Sequence, residues 1–154
     1  MKRIIETLNE MSFILPEGWE VTADKYKLIN GQGFINRENY LSKNGKVISL
    51  FEIHRDPDEF FQSYQGLVEK YNKVTEMYEL GKQFTFKFGD FEFPAYIIKG
   101  FRDKLIYILQ VFINCMDRLA CFMITLDKFS DDTKQMIQDN ETLGALVKIL
   151  RTIE

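Results

Sequence analysis

The chain has 154 residues, a net charge of −3, and 45% hydrophobic against 28% charged residues, the balance of one ordinary globular domain. The slight acidic excess removes the electrostatic drive toward nucleic acid or an anionic membrane surface, so neither is expected as a partner. Two cysteines, Cys115 and Cys121, and one histidine, His54, are too few for a zinc site or a disulfide scaffold, and no metal or cofactor is expected.

The first residues, Met1-Lys2-Arg3-Ile4-Ile5, start like a signal peptide, but Glu6, Asn9 and Glu10 interrupt them before an apolar segment forms. The longest apolar run, Leu105 to Ile113, has the length of a strand rather than of a membrane span. A cytoplasmic protein without membrane insertion is expected.

In chain order, Lys2–Leu8 and Ser12–Leu15 read as short extended pieces. Pro16-Glu17-Gly18 is a turn, and Trp19 is expected as a core anchor. Gly31-Gln32-Gly33 begins like a dinucleotide-binding loop. Asn36 stands where the third glycine belongs and no helical pattern follows, so that reading fails. Gly33–Ser42 and Lys46–His54 form a hairpin around Asn44-Gly45, a strong two-residue turn signal. Asp56-Pro57-Asp58-Glu59 has the cap, the proline and the acidic third residue of a helix start. The helix is expected to run to about Asn72, with Phe60, Tyr64, Leu67, Val68 and Tyr71 on one stripe.

Strands then follow quickly. Thr75–Leu80 is one. Phe84, Phe86 and Phe88 alternate with polar residues in the next, and Gly89-Asp90 turns the chain into Phe91–Gly100, where Pro94 marks a bulge or an edge. Arg102-Asp103-Lys104 leads into Leu105–Ile113, and Leu119–Leu126 returns. The end of the chain is helical from Ser130-Asp131-Asp132, with Asn140 recapping it and Leu143, Leu146, Val147, Leu150 and Ile153 forming a buried stripe. This order predicts the α+β class: an antiparallel twisted sheet with a central and a C-terminal helix packed on it, in a single domain spanning 1–154.

Ser12-Phe13-Ile14-Leu15-Pro16-Glu17-Gly18-Trp19 resembles the opening of the DcrB-like family of bacterial proteins, which belongs to the PsbP-like fold group. Arg55-Asp56, closing a strand and opening a helix, resembles the family's Arg-Asp, and the order of elements agrees over nearly the whole chain. Val21-Thr22 stand where the family often has Asp-Arg. The resemblance implies a PsbP-like fold and a noncatalytic binding protein. Members without a signal peptide include chaperones of type VI secretion effectors, which look like dimers holding apolar effector helices in a concave sheet. More distant relatives bind a small GTPase or a photosystem.

No catalytic constellation is legible. His54 has no Ser or Cys placed beside it, and Asp56/Asp58 and Asp131/Asp132 stand where helix starts explain them. The most apolar hairpin carries more information. With a two-residue turn at Met116-Asp117, Phe112 pairs with Cys121, Gln110 with Met123 and Ile108 with Thr125. The opposite face holds Tyr107, Leu109, Val111, Ile113, Ala120, Phe122, Ile124 and Leu126, and should pack under helices. The strip Ile108, Gln110, Phe112, Cys121, Met123 and Thr125 is too apolar for a solvated antiparallel face. It is either covered within the fold or in a homodimer, or it is a partner surface.

Three functions follow as expectations. The first is a noncatalytic protein-binding module, such as a chaperone or adaptor, that uses this strip. The second is a small-molecule binder or cryptic enzyme with a pocket near His54 and Arg55. The third is an immunity protein against a toxin encoded nearby.

Overall fold

The computed structural model describes residues 3–6, 12–25, 37–53, 82–102, 104–115, 118–130 and 132–153. The expected central helix, the strand at 75–80, and His54 and Arg55 lie outside the described residues. The described elements are β1 (Arg3–Glu6), β2 (Ser12–Leu15), β3 (Glu20–Lys25), β4 (Arg37–Lys43), β5 (Lys46–Ile53), β6 (Lys82–Phe88), β7 (Phe91–Arg102), β8 (Lys104–Cys115) and β9 (Arg118–Leu126). Two helices close the chain, α1 (Thr133–Asp139) and α2 (Glu141–Arg151).

β1 and β2 form a two-stranded sheet, and the other seven strands form one sheet in the order β3-β4-β5-β9-β8-β7-β6. All its ladders are antiparallel. The sheet is two meanders, β3–β5 and β6–β9, joined where the last strand of each pairs. Local turn chemistry sets each meander. Asn44 and Gly45 take φ of 51° and 81°, the pair of positive values a type I′ turn needs, and Lys43 pairs with Lys46 across it. Gly18, at φ 85°, supplies the third position of a type II turn in which the Trp19 N–H donates to the Pro16 carbonyl at 3.1 Å.

Pro94 illustrates how the ladder tolerates a residue without an N–H. It pairs with Thr85 on β6, a pair without mutual hydrogen bonds when counted from the Phe88–Phe91 closure. Its nitrogen therefore faces β8, where pairing begins only at Ala95. The expected edge position is thus edge-like on one side.

One face of the sheet meets the helices. Leu41, Ile48, Leu50, Leu109, Val111, Phe122 and Ile124 from the sheet, and Leu143, Leu146, Val147 and Leu150 from α2, belong to one buried cluster. Phe13, Leu15 and Trp19 join it, and the Phe13 ring stands edge-on to Phe122 at 5.7 Å. Burying each such side chain contributes roughly 1.5–3 kcal/mol. Ala145 and Ile149 are buried as well, although the helical stripe omits them. The reason is that α2 lies between the large sheet and β2, so two sides of it are covered. The Ile14 N–H donates to Thr152 Oγ1 at 2.9 Å, which ties β2 to the end of α2.

Asn140 serves both helices. Its N–H donates to the Met136 carbonyl at 3.0 Å, ending α1, and its Oδ1 accepts from the Leu143 N–H at 2.9 Å, starting α2. Asp132 caps α1 by accepting from Gln135 N at 3.0 Å. No helix among the described residues is long and apolar enough to cross a membrane.

Candidate functional site

The β8–β9 hairpin has the register expected of a two-residue turn: Phe112 pairs with Cys121, Gln110 with Met123, and Ile108 with Thr125. Side chains alternate between faces along a strand, so these six residues share the face turned away from α1 and α2. The ladders extend the Gln110 row across the sheet, through Gln83, Tyr96, Gln110, Met123, Ser49 and Tyr40.

The six residues divide in two. Gln110, Phe112 and Cys121 are buried within the chain, with 2%, 0% and 1% of their surface exposed. Ile108 and Met123 are half-buried, and Thr125 is exposed. The expectation of a partner surface over the whole strip therefore narrows to its accessible end. The physical reason is that Phe112, Cys121 and the neighbouring Tyr96, Ile98 and Ile106 are all withdrawn from water, as two-sided burial of a sheet this apolar requires.

The accessible end gains a residue that the sequence reading placed only in a strand. Val47 is 44% exposed. It lies two residues before Ser49, on Ser49's face, and Ser49 pairs with Met123 at the end of the β5–β9 ladder. Val47 thus extends toward Thr125, two residues past Met123. This apolar side chain lies past the last pair of the β5–β9 ladder.

Electrostatics distinguish the covered part. Gln110 Nε2 lies 3.7 Å from Met123 Sδ, a weak acceptor, while its Oε1 has no hydrogen-bond partner among the described residues. A buried acceptor left without a donor costs about 1–3 kcal/mol. Burial pushes the Cys121 thiol far above its ordinary pKa, so it stays protonated and inert as a nucleophile. Of the buried residues of the strip, Gln110 thus offers an amide and Cys121 an unreactive thiol.

Elsewhere the described surface has two open grooves beside the helices. One, of about 560 Å³, runs between Trp19, Lys43, Glu141, Gly144 and Lys148. The other, of about 470 Å³, lies between Lys128, Gln135, Met136 and Asp139. Glu141 is held by Lys43 at 3.2 Å and by Lys46. These hydrogen bonds and charges keep its carboxyl below the usual glutamate range. Among the described residues no group of three or more His, Cys, Asp and Glu could hold a metal ion.

No protein-family model matches the sequence, and no curated protein matches it. Solved structures do. The chain is similar to cyanobacterial PsbP (CyanoP) from Synechocystis at a TM-score of 0.56 and 7% identity, over 99% of this chain and 91% of that one. Lower scores, 0.48 and 0.37, relate it to the Ran-binding protein Mog1p of Saccharomyces cerevisiae and to LpqN, involved in cell envelope biogenesis of Mycobacterium tuberculosis. Identities are 9% and 12%, and coverage is 100% and 99% of this chain against 95% and 89% of those. The fold is PsbP-like, as the likeness to CyanoP establishes, and the expected α+β antiparallel architecture is the one observed.

Proposed function

We propose that the chain is a noncatalytic protein-binding module whose contact surface is the accessible corner formed by Val47, Ile108, Met123 and Thr125. The observation that carries this reading is the exposure of Val47 beside half-buried Ile108 and Met123, on the same face as Gln110, Phe112 and Cys121, which are withdrawn from water. An apolar edge continuous with a buried core is what an apolar partner helix can extend. Met123 adapts to the shape of what it meets.

The finer form of the reading follows the DcrB-like resemblance: a cytoplasmic chaperone or adaptor that holds apolar helices of a secreted effector, as a homodimer. The experiment is co-expression with the protein encoded by the adjacent gene, followed by light scattering on the eluted complex. The reading expects a stoichiometric complex that Val47→Glu disrupts. A chain that remains monomeric and alone, or a complex indifferent to Val47→Glu, counts against it.

A second reading, binding of a small molecule, draws on Gln110. A buried acceptor without a donor among the described residues suits a ligand that offers an N–H or O–H. The pocket expected near His54 and Arg55 lies outside the described residues and adds nothing to it.

A further inference from the structure

The other exposed large hydrophobic among the described residues is Phe91, at 38%, and it stands on the opposite face of the sheet from Val47. The β6–β7 hairpin brings Phe88 opposite Phe91 and Phe86 opposite Phe93. Three of these rings lie nearly parallel. Phe88 stacks on Phe91 at 5.4 Å and 18° and on Phe93 at 5.9 Å and 23°, and Phe91 and Phe93 are 6.5 Å apart at 8°. Phe88 is the buried root of the stack, Phe93 is half-buried, and Phe91 reaches solvent.

A cation is fixed at this stack. Arg151, in the last turn of α2, has its guanidinium carbon 5.5 Å from the Phe88 ring centroid, within the range of a cation–π contact. Its place at a helix C-terminus suits the helix dipole. Yet no carboxylate among the described residues lies within ion-pair distance of it. The hairpin's own Glu92 faces the other side of the sheet, where it pairs with Lys87 at 3.6 Å. The Phe88 ring holds Arg151, which is exposed, and a guanidinium presents its donors in a fork that matches a carboxylate.

We infer that Phe91, Phe93 and Arg151 form a second docking site, for a protein segment that carries a carboxylate side chain next to an aromatic or aliphatic one. The apolar side chain extends the ring stack at Phe91, and the carboxylate takes the open donors of Arg151. Aromatic residues and arginine are the types that concentrate binding energy at interfaces. This site is independent of the Val47 corner: it lies on the opposite face and rests on different residues.

The test uses a random heptapeptide display library selected on the full wild-type chain, with Arg151→Glu as the counter-selected target. The enriched peptides should place Asp or Glu within two residues of Phe, Trp or Leu. Arg151→Glu should weaken a selected peptide by about tenfold or more, as expected for loss of one charge-assisted pair. Phe91→Ser should abolish binding, and Arg151→Gln, which removes the charge without reversing it, serves if either variant melts early. Absence of enrichment, or peptides that bind Arg151→Glu and Arg151→Gln as tightly as wild type, would overturn the assignment.

Discussion

Gln110 sits opposite Met123 across the β8–β9 ladder, and its amide meets sulfur on one side and, among the described residues, no donor on the other. Replacing a buried amide whose oxygen lacks a donor by an apolar side chain of similar shape removes a desolvation cost without opening a cavity. Gln110→Met is therefore expected to stabilise the fold by about 1 kcal/mol. Urea denaturation should give a higher midpoint at unchanged slope. A lower midpoint would mean that the amide oxygen has a donor in solution, which would take away the support of the small-molecule reading.

Asn140 ends one helix and starts the next. Asn140→Ala keeps the backbone bond to Met136 and loses the side-chain bond to the Leu143 N–H. The expected cost is about 1 kcal/mol, read as a lower denaturation midpoint. Asn140→Asp, which keeps the acceptor, should recover most of it.

Glu141 bridges Lys43 and Lys46, the two residues that flank the Asn44-Gly45 turn, and so joins the first meander to the start of α2. Its carboxyl titrates below its ordinary value because the Lys46 and Lys43 hydrogen bonds, then their charges, favour the anion. A depressed folded pKa contributes stability that is present above the unfolded value and lost as pH falls through the folded one. Glu141→Gln should thus be slightly less stable than wild type at neutral pH. The difference should fade below about pH 4, the ordinary glutamate range. A difference independent of pH would mean the ion pairs contribute nothing in solution.

Local signals made much of the fold legible. Asn44-Gly45 announced its turn, Asn140 its double role, and the two-residue spacing at Met116-Asp117 set every pair of the β8–β9 register. The alternation of Phe84, Phe86 and Phe88 placed β6. What local patterns cannot carry is pairing and cover between distant segments. Nothing in the sequence near β5 or β9 says that these two strands meet. The burial of Gln110, Phe112 and Cys121 depends on what folds over their face, which alternation along one strand does not encode. Val47 looks like any strand residue until the end of the β5–β9 ladder leaves it exposed. Arg151 reads as an ordinary basic residue of a last turn until the fold sets it over Phe88.

The most direct test of the protein-binding reading compares two neighbours on β9. Ile124 is buried under the helices, and Thr125 is exposed on the opposite face. Thr125→Glu places a charge at the proposed contact, and Ile124→Glu places one in the core, where an unpaired carboxylate is strongly penalised. Both stability and complex formation with the protein encoded by the adjacent gene are measured, by urea midpoint and by light scattering. The account predicts that Thr125→Glu keeps the wild-type midpoint and loses the complex, while Ile124→Glu unfolds. A Thr125→Glu chain that is stable and still forms the complex would contradict it.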